Sequence, residues 1–113
     1  DNVLKKVAKI CQQVIREGDI FTRYGGEEFA VLVREANITS ANIVAERIRL
    51  HLSNKPIHTQ EIQVSVCASI GAASLCEIKH KKSIFEQANA LIELADKRLY
   101  KAKENGRNQV IYQ

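Results

Sequence analysis

Methionine and tryptophan are absent from the 113 residues of the chain, and there are only one proline and three cysteines. Because Cys11, Cys67 and Cys76 are widely and irregularly spaced, they predict neither a disulfide framework nor a metal site. Reduced thiols in a cytoplasmic domain are the expected state. No apolar run approaches the ~18 residues of a membrane span, and no signal-peptide pattern opens the chain. These residues therefore predict no membrane contact of their own, and any membrane anchor is expected elsewhere in the full-length protein.

A strong excess of charge of either sign is also lacking. The 17 basic and 13 acidic residues give a net charge of +4, which suits an anionic partner but is too small to indicate nucleic acid binding. Hydrophobic residues make up 45% of the chain, and this content argues against disorder. Length and composition together predict one domain over residues 1–113, with a single core of ordinary size.

Hydrophobic periodicity predicts three helices. The first starts at the beginning of the chain and ends near Gly18. The second follows Ser40 and the third follows Ser83, because serine is a good N-cap residue. The second helix stops at residues 54–56, where the proline lies, and Asn105-Gly106 ends the third.

Four strands are predicted between and after these helices, over residues 20–24, 28–33, 62–70 and 109–112. Gly25-Gly26 joins the first two strands, since glycine accepts the positive φ angles of a tight hairpin. The result is an α+β domain with an antiparallel hairpin at its centre.

Two adjacent carboxylates, Glu27 and Glu28, follow the glycine pair directly and open an otherwise apolar strand. A turn without side chains lets a ligand approach the backbone, and its exposed N–H groups suit phosphate. Adjacent carboxylates are natural Mg²⁺ ligands when substrate phosphates complete the shell. An ordinary glycine hairpin with two solvated acids explains the pattern about as well, and the two readings stay open on composition alone.

Longer stretches decide between these readings by resemblance. "RYGGEEFAVLV" (residues 23–33) resembles the hairpin motif of the GGDEF family, the diguanylate cyclases, in its GGEEF form. "AERIR" (45–49), "SIGAA" (69–73) and "DKRLYKAKENGRNQV" (96–110) match the family in the same order. The resemblance implies a ferredoxin-like nucleotidyl-cyclase fold, with an antiparallel sheet packed by helices. It also implies condensation of two GTP molecules into cyclic di-GMP with release of two pyrophosphates, by a homodimer in which each domain presents one GTP.

The resemblance also assigns roles at the hairpin. Glu27 would be the metal-binding and catalytic carboxylate, and Glu28 would support the shell of Mg²⁺ or Mn²⁺. Gly25 and Gly26 would let the nucleotide lie against the turn. Metal ions in such a reaction stabilise the charge that develops on the attacking and leaving oxygens.

Three further residues match substrate-binding positions of the family. Lys103 and Arg107 lie four residues apart around the end of the last helix, where they would direct two cations at the triphosphate. Without the resemblance, they would be read as routine basic residues favoured by the helix dipole. Asp1 matches the acidic residue that reads guanine, because a carboxylate can accept hydrogen bonds from the base.

A second site is predicted upstream of the hairpin. "REGD", Arg16 to Asp19, ends six positions before Gly25, as the inhibitory RxxD motif does in this family, and Arg47 matches a further arginine of that site. A guanidinium can bind phosphate or stack on guanine, and Asp19 can accept from the guanine edge. The alternative is an arginine that ends a helix and an aspartate that starts a strand. With the resemblance, we interpret the motif as an inhibitory cyclic di-GMP site.

One departure from the family concerns its first strand, which carries an aspartate for Mg²⁺ and an asparagine for guanine. Neither is present in these residues, so we expect a preceding strand and helix, and an upstream sensor or receiver domain, in the parent protein. The 113 residues alone are expected to bind cyclic di-GMP without synthesising it. Two alternatives stay open: a catalytically inactive cyclic di-GMP receptor, and a module whose fold serves only dimerisation. The intact GGEEF sequence argues against the receptor.

Overall fold

A computed structural model describes residues 2–79 and 83–113 of the chain. Three helices, α1 (Asn2–Val14), α2 (Ile38–Asn54) and α3 (Ile84–Glu104), alternate with strands. The strands are β1 (Ile20–Gly25), β2 (Glu28–Leu32), β3 (Ile57–His58), β4 (Gln63–Val64), β5 (Ile70–Gly71) and β6 (Val110–Ile111), and a 3-10 turn over Leu75–Glu77 precedes α3. The predicted α+β class is confirmed. Over the described ranges, none of these helices has the length and apolarity to cross a bilayer.

The strands form three two-stranded sheets in the described part of the chain. The β1–β2 and β3–β4 pairs are antiparallel, but β5 and β6 run parallel, which differs from the expected antiparallel sheet. The strand predicted over residues 62–70 was also wrong as a continuous element, because only β4 and β5 at its two ends have strand partners. Alternating hydrophobicity indicated an extended backbone there, but pairing depends on neighbours that are distant in sequence.

The helix ends agree with the sequence at the start and end of α3 and at the end of α2, whereas α1 ends at Val14, before the predicted Gly18, and α2 starts at a different cap. Ser83 caps α3 as predicted, and it forms a reciprocal capping box with Glu86. The N-cap of α2 is Asn37 rather than Ser40, since its side-chain oxygen accepts a hydrogen bond from the Ser40 N–H at 2.9 Å. Both residue types cap helices well, so the sequence alone did not distinguish them. The predicted end of α2 at residue 54 is confirmed.

The core lies between α1, α2 and one face of the β1–β2 hairpin. Its buried members are Val7, Cys11, Val14, Val44, Ile48, Leu52 and Ile57. The rings of Phe21 and Phe29 stack on the hairpin face with centroids 5.2 Å apart. All three cysteines are free thiols, and burial raises the pKa of Cys11 to about 11. Cys11 is therefore an uncharged core residue.

A close backbone contact holds α3 against β5. A Cβ atom on Gly71 would lie 2.0 Å from the carbonyl oxygen of Ala95 and 2.3 Å from the nitrogen of Leu99, so this approach requires glycine. Arg98 adds a forked ion pair to Glu77, with N–O distances of 2.7 and 2.9 Å, and donates to the carbonyl of Ala72 at 2.8 Å. These contacts fix the direction of α3, whose C-terminal end carries the predicted phosphate-binding cations.

Candidate functional site

The β1–β2 hairpin presents an open turn. The register shifts between Arg23 and Gly25, and Gly26 has a positive φ of 48°. The guanidinium of Arg23 donates two hydrogen bonds to the carbonyl of Gly26, at 3.0 and 2.7 Å, and these bonds stabilise the turn. No atom lies within 4 Å of where a Cβ would stand on Gly25 or Gly26. The predicted hairpin is confirmed, whereas the sequence did not indicate that Arg23 stabilises the turn.

Both carboxylates of the hairpin are exposed, but their surroundings differ. An oxygen of Glu28 lies 3.7 Å from the ammonium nitrogen of Lys103 at the end of α3. Glu27 has no hydrogen bond or ion pair within the described residues and extends into solvent. An exposed carboxylate without a structural partner has no evident role in holding the fold.

The hairpin provides only part of a metal-ligand set. Within residues 2–79 and 83–113, no three His, Cys, Asp or Glu side chains cluster closely enough to hold a metal ion by themselves. Mg²⁺ in phosphate-handling sites is commonly held by one or two carboxylates, with substrate phosphates and water supplying the rest. Glu27 and Glu28 fit that arrangement as a partial ligand set.

The end of α3 carries the two predicted cations. Lys103 is 39% exposed and reaches the hairpin through Glu28. The backbone N–H of Arg107 donates to the carbonyl of Ala102 at 2.9 Å, which is the hydrogen bond of a Schellman C-cap. The Arg107 side chain is exposed and forms no polar contact with the part of the chain described. Asp1, the predicted guanine reader, lies outside the described residues.

A second polar cluster lies where α1 leads into β1. Asp19 is 2% exposed, and its carboxylate accepts from the backbone N–H and the Nε of Arg16, each at 3.2 Å, and from the Arg34 N–H at 3.1 Å. The Arg16 guanidinium also donates to the Arg34 carbonyl at 2.6 Å. Burial raises the pKa of Asp19, but the hydrogen bonds from Arg34 and Arg16 outweigh this effect and the net pKa is lowered. The carboxylate therefore stays ionised and holds Arg16 in place.

An open cleft of about 340 Å³ adjoins this cluster. It is lined by Arg16, Glu17, Asp19, Arg34 and Glu35. The predicted Arg16–Asp19 pair is thus brought together, and Arg34 joins it although the sequence motif did not include it. Arg47 is exposed on α2 and is not among the cleft's lining residues.

Comparison with known proteins identifies the family. The family model "Diguanylate cyclase, GGDEF domain" matches residues 1–109. Diguanylate cyclase A from Treponema denticola is 41% identical over 110 residues, which make up 97% of this chain and 28% of that protein. The GGDEF domain of DgcB from Caulobacter crescentus, solved with c-di-GMP, has a TM-score of 0.78 at 30% identity over 98% of this chain and 63% of that chain. The active GGEEF domain of a diguanylate cyclase from Vibrio cholerae has a TM-score of 0.79 at 31% identity, covering 99% and 67%.

These neighbours define the α+β fold as that of a GGDEF domain. The chain belongs to the GGDEF family of diguanylate cyclases, since the family model covers nearly all of it. The resemblance noted in the hairpin and in the three further motifs is confirmed. The chain spans only 28% of the length of the treponemal relative.

Proposed function

We propose that this domain, in the full-length protein, is a diguanylate cyclase that condenses two GTP molecules into cyclic di-GMP and releases two pyrophosphates. The single observation that carries the proposal is the GGEE turn, which is open around both glycines and presents Glu27 without a partner among the described residues. The names of the relatives, diguanylate cyclases among them, support the same activity.

In this proposal, the hairpin positions the reacting phosphate. The backbone of Gly25 and Gly26 lies against the nucleotide, because neither residue carries a side chain that would keep it away. Glu27 is the metal-binding and catalytic carboxylate, and Glu28 supports the same ligand set. A bound Mg²⁺ or Mn²⁺ would stabilise charge on the attacking and leaving oxygens. The protein's own contribution is orientation, and errors of about 1 Å in such alignments can cost roughly a hundredfold in rate.

Lys103 and Arg107 bind the triphosphate. The contact between Lys103 and Glu28 is long, at 3.7 Å, and both side chains are partly exposed at 39% and 45%. Exposed ion pairs contribute about 0–1 kcal/mol, so Lys103 can exchange Glu28 for a phosphate at little cost. Arg107 needs no such exchange, because its guanidinium has no polar partner in the described part of the chain.

Two domains act together. One domain presents one GTP, and forming two phosphodiester bonds requires two GTP molecules facing each other. We propose that a regulatory domain elsewhere in the full-length protein brings two such domains together, in the cytoplasm where GTP is available. The homodimer is therefore the proposed active form.

Cyclic di-GMP also binds as an inhibitor in the cleft beside Arg16 in this proposal. Arg16 is 46% exposed although its guanidinium is anchored by Asp19 and Arg34, so it is oriented before a ligand arrives. The Asp19 carboxylate is almost fully buried and already accepts three hydrogen bonds. These contacts favour a role for Asp19 in orienting Arg16 over a direct contact with guanine. Arg34 also lines the cleft and offers a second guanidinium there. Arg47 is the remaining residue of the proposed site, although it lies on α2 and does not line the cleft.

The test is Glu27→Ala in the full-length protein with Mg²⁺ and GTP, with cyclic di-GMP measured chromatographically. We expect synthesis to be abolished and the melting temperature to be unchanged, because the exposed Glu27 side chain makes no hydrogen bond or ion pair among the described residues. Glu61→Ala is the matched control, since Glu61 is also an exposed glutamate and should leave synthesis unaffected. Wild-type turnover in Glu27→Ala would remove this carboxylate from the mechanism. If the wild-type protein itself binds cyclic di-GMP but makes none, the inactive receptor is the correct function.

A further inference from the structure

The turn that follows α3 has an unusual backbone. Three successive residues have positive φ angles: Gly106 at 114°, Arg107 at 65° and Asn108 at 48°. Glycine accepts this region at no steric cost, but an L-residue such as arginine pays about 1–2 kcal/mol. Such conformations persist when the surrounding structure holds them, and they concentrate at functional sites. The contacts that hold this turn therefore indicate what it is for.

Asn108 is the anchor of the turn. Its backbone N–H donates to the Ser69 hydroxyl at 3.2 Å, and its side-chain oxygen accepts from Nη1 of Arg49 at 3.2 Å. Arg49 lies on α2, 59 residues away in sequence, and is only 20% exposed. The Nε of Arg49 donates to Glu46 at 2.6 Å, so its guanidinium is itself held in one orientation. The turn is thus fastened to both α2 and the segment before β5.

The neighbouring Arg107 contrasts with this anchoring. Its backbone is fixed by the hydrogen bond to Ala102 and by the carbonyl that accepts from Gln109 at 3.1 Å. Its guanidinium nevertheless extends into solvent without a polar partner in residues 2–79 and 83–113. Arg107 thus combines a strained, firmly held backbone with a guanidinium that has no polar partner among the described residues. This combination is expected of a side chain that is preorganised for a ligand.

We propose that Arg49 and Asn108 are positioning residues for the triphosphate: together they lock the turn that aims Arg107. The inference rests on the proposed function, in which Arg107 binds the phosphates of GTP. Neither Arg49 nor Asn108 needs to touch the nucleotide. Arg49 acts through Asn108, and Asn108 acts through the backbone of Arg107.

The experiment is a double-mutant cycle between Asn108→Gly and Arg107→Ala in the full-length protein. Asn108→Gly removes the 3.2 Å hydrogen bond between Arg49 and the Asn108 side chain without changing charge, and leaves only the longer 3.5 Å bond from Arg49 to the backbone carbonyl. Glycine also tolerates the positive φ. The measurement is the Kd of 3′-deoxy-GTP with Mg²⁺ by titration calorimetry, because this analogue lacks the attacking hydroxyl and cannot be consumed. Melting temperatures are recorded for every variant, and binding is measured well below them.

We expect Asn108→Gly to weaken binding about fivefold to tenfold in the wild-type background and to have no further effect once Arg107 is alanine, since interacting positions are not additive. Arg49→Met should reproduce this pattern from the other side of the contact. Asn54→Gly, the same change at the exposed end of α2, is the matched control and should leave the Kd unchanged.

The other outcomes separate two failures. If Arg107→Ala weakens binding but Asn108→Gly is either silent or fully additive with it, the positioning role is overturned while the proposed function stands. If Arg107→Ala leaves the Kd unchanged, the phosphate-binding role of Arg107 is itself refuted, and the positioning role falls with it.

Discussion

Gly25 offers a test that separates a glycine needed by the fold from a glycine needed by a ligand. No atom lies within 4 Å of the position that a Cβ would take on Gly25, and its φ is not in the positive range. An alanine at this position therefore fits the free domain. Alanine also lowers the conformational entropy of the unfolded chain. Gly25→Ala should therefore leave the free energy of unfolding unchanged or raise it by about 0.4–1 kcal/mol.

The effect on nucleotide binding should be opposite. If the nucleotide lies against the turn, the added methyl group occupies space that the ligand needs. Overpacking of this kind typically costs about 1–3 kcal/mol, which corresponds to a Kd for GTP weakened on the order of 5- to 150-fold. The predicted result is thus a protein that is at least as stable as the wild type but impaired in substrate binding.

Two other glycines serve as matched comparisons. Gly26→Ala must place alanine at a φ of 48°, at a stability cost of about 1–2 kcal/mol. Gly71→Ala would bring a Cβ within 2.0 Å of the Ala95 carbonyl oxygen and should prevent α3 from packing. Urea denaturation and titration with 3′-deoxy-GTP measure both quantities for all three variants. A Gly25→Ala protein of wild-type stability that binds the analogue with wild-type affinity would refute the idea that the nucleotide lies against this turn.

Two further predictions concern acid stability and feedback. The hydrogen bond from the Arg98 side chain holds the pKa of Glu77 below its ordinary value of 4.5, so the ion pair stabilises the fold at pH values above about 4.5 and loses this contribution as the pH falls through the lowered pKa. The urea midpoint should therefore decrease between pH 5 and pH 3 more steeply in the wild type than in Glu77→Gln, and equal slopes would contradict the assignment. For the second prediction, Arg16→Ala should relieve inhibition of GTP turnover by added cyclic di-GMP at least tenfold, because a charged phosphate contact is lost, while the initial rate without product is retained. Arg34→Ala should relieve it partially, and inhibition that is unchanged in both variants would remove the cleft as the inhibitory site.

Local chemistry determined those parts of the fold that depend on neighbours in sequence. The hairpin at Gly25-Gly26 and the serine cap of α3 are short-range features, in which the residue type itself provides the required φ angle or hydrogen bond. Both were predicted and both are observed. The family motifs could also be recognised from the sequence alone, because each is a contiguous stretch of residues. Even locally, however, two capping residues three positions apart left the start of α2 ambiguous.

Tertiary structure decided the contacts between residues that are far apart in sequence. The contact of Lys103 with Glu28, the forked pair of Arg98 with Glu77, and the clamp of Arg49 on Asn108 span 75, 21 and 59 residues. Periodicity places each of these side chains on an element, but it does not say which elements meet or in what register. The parallel pairing of β5 with β6 was missed for the same reason. The sequence by itself thus determined which chemical groups the domain carries and the turn that presents them. Only packing decided which charged side chains are paired and which, like that of Arg107, have no polar partner among the described residues.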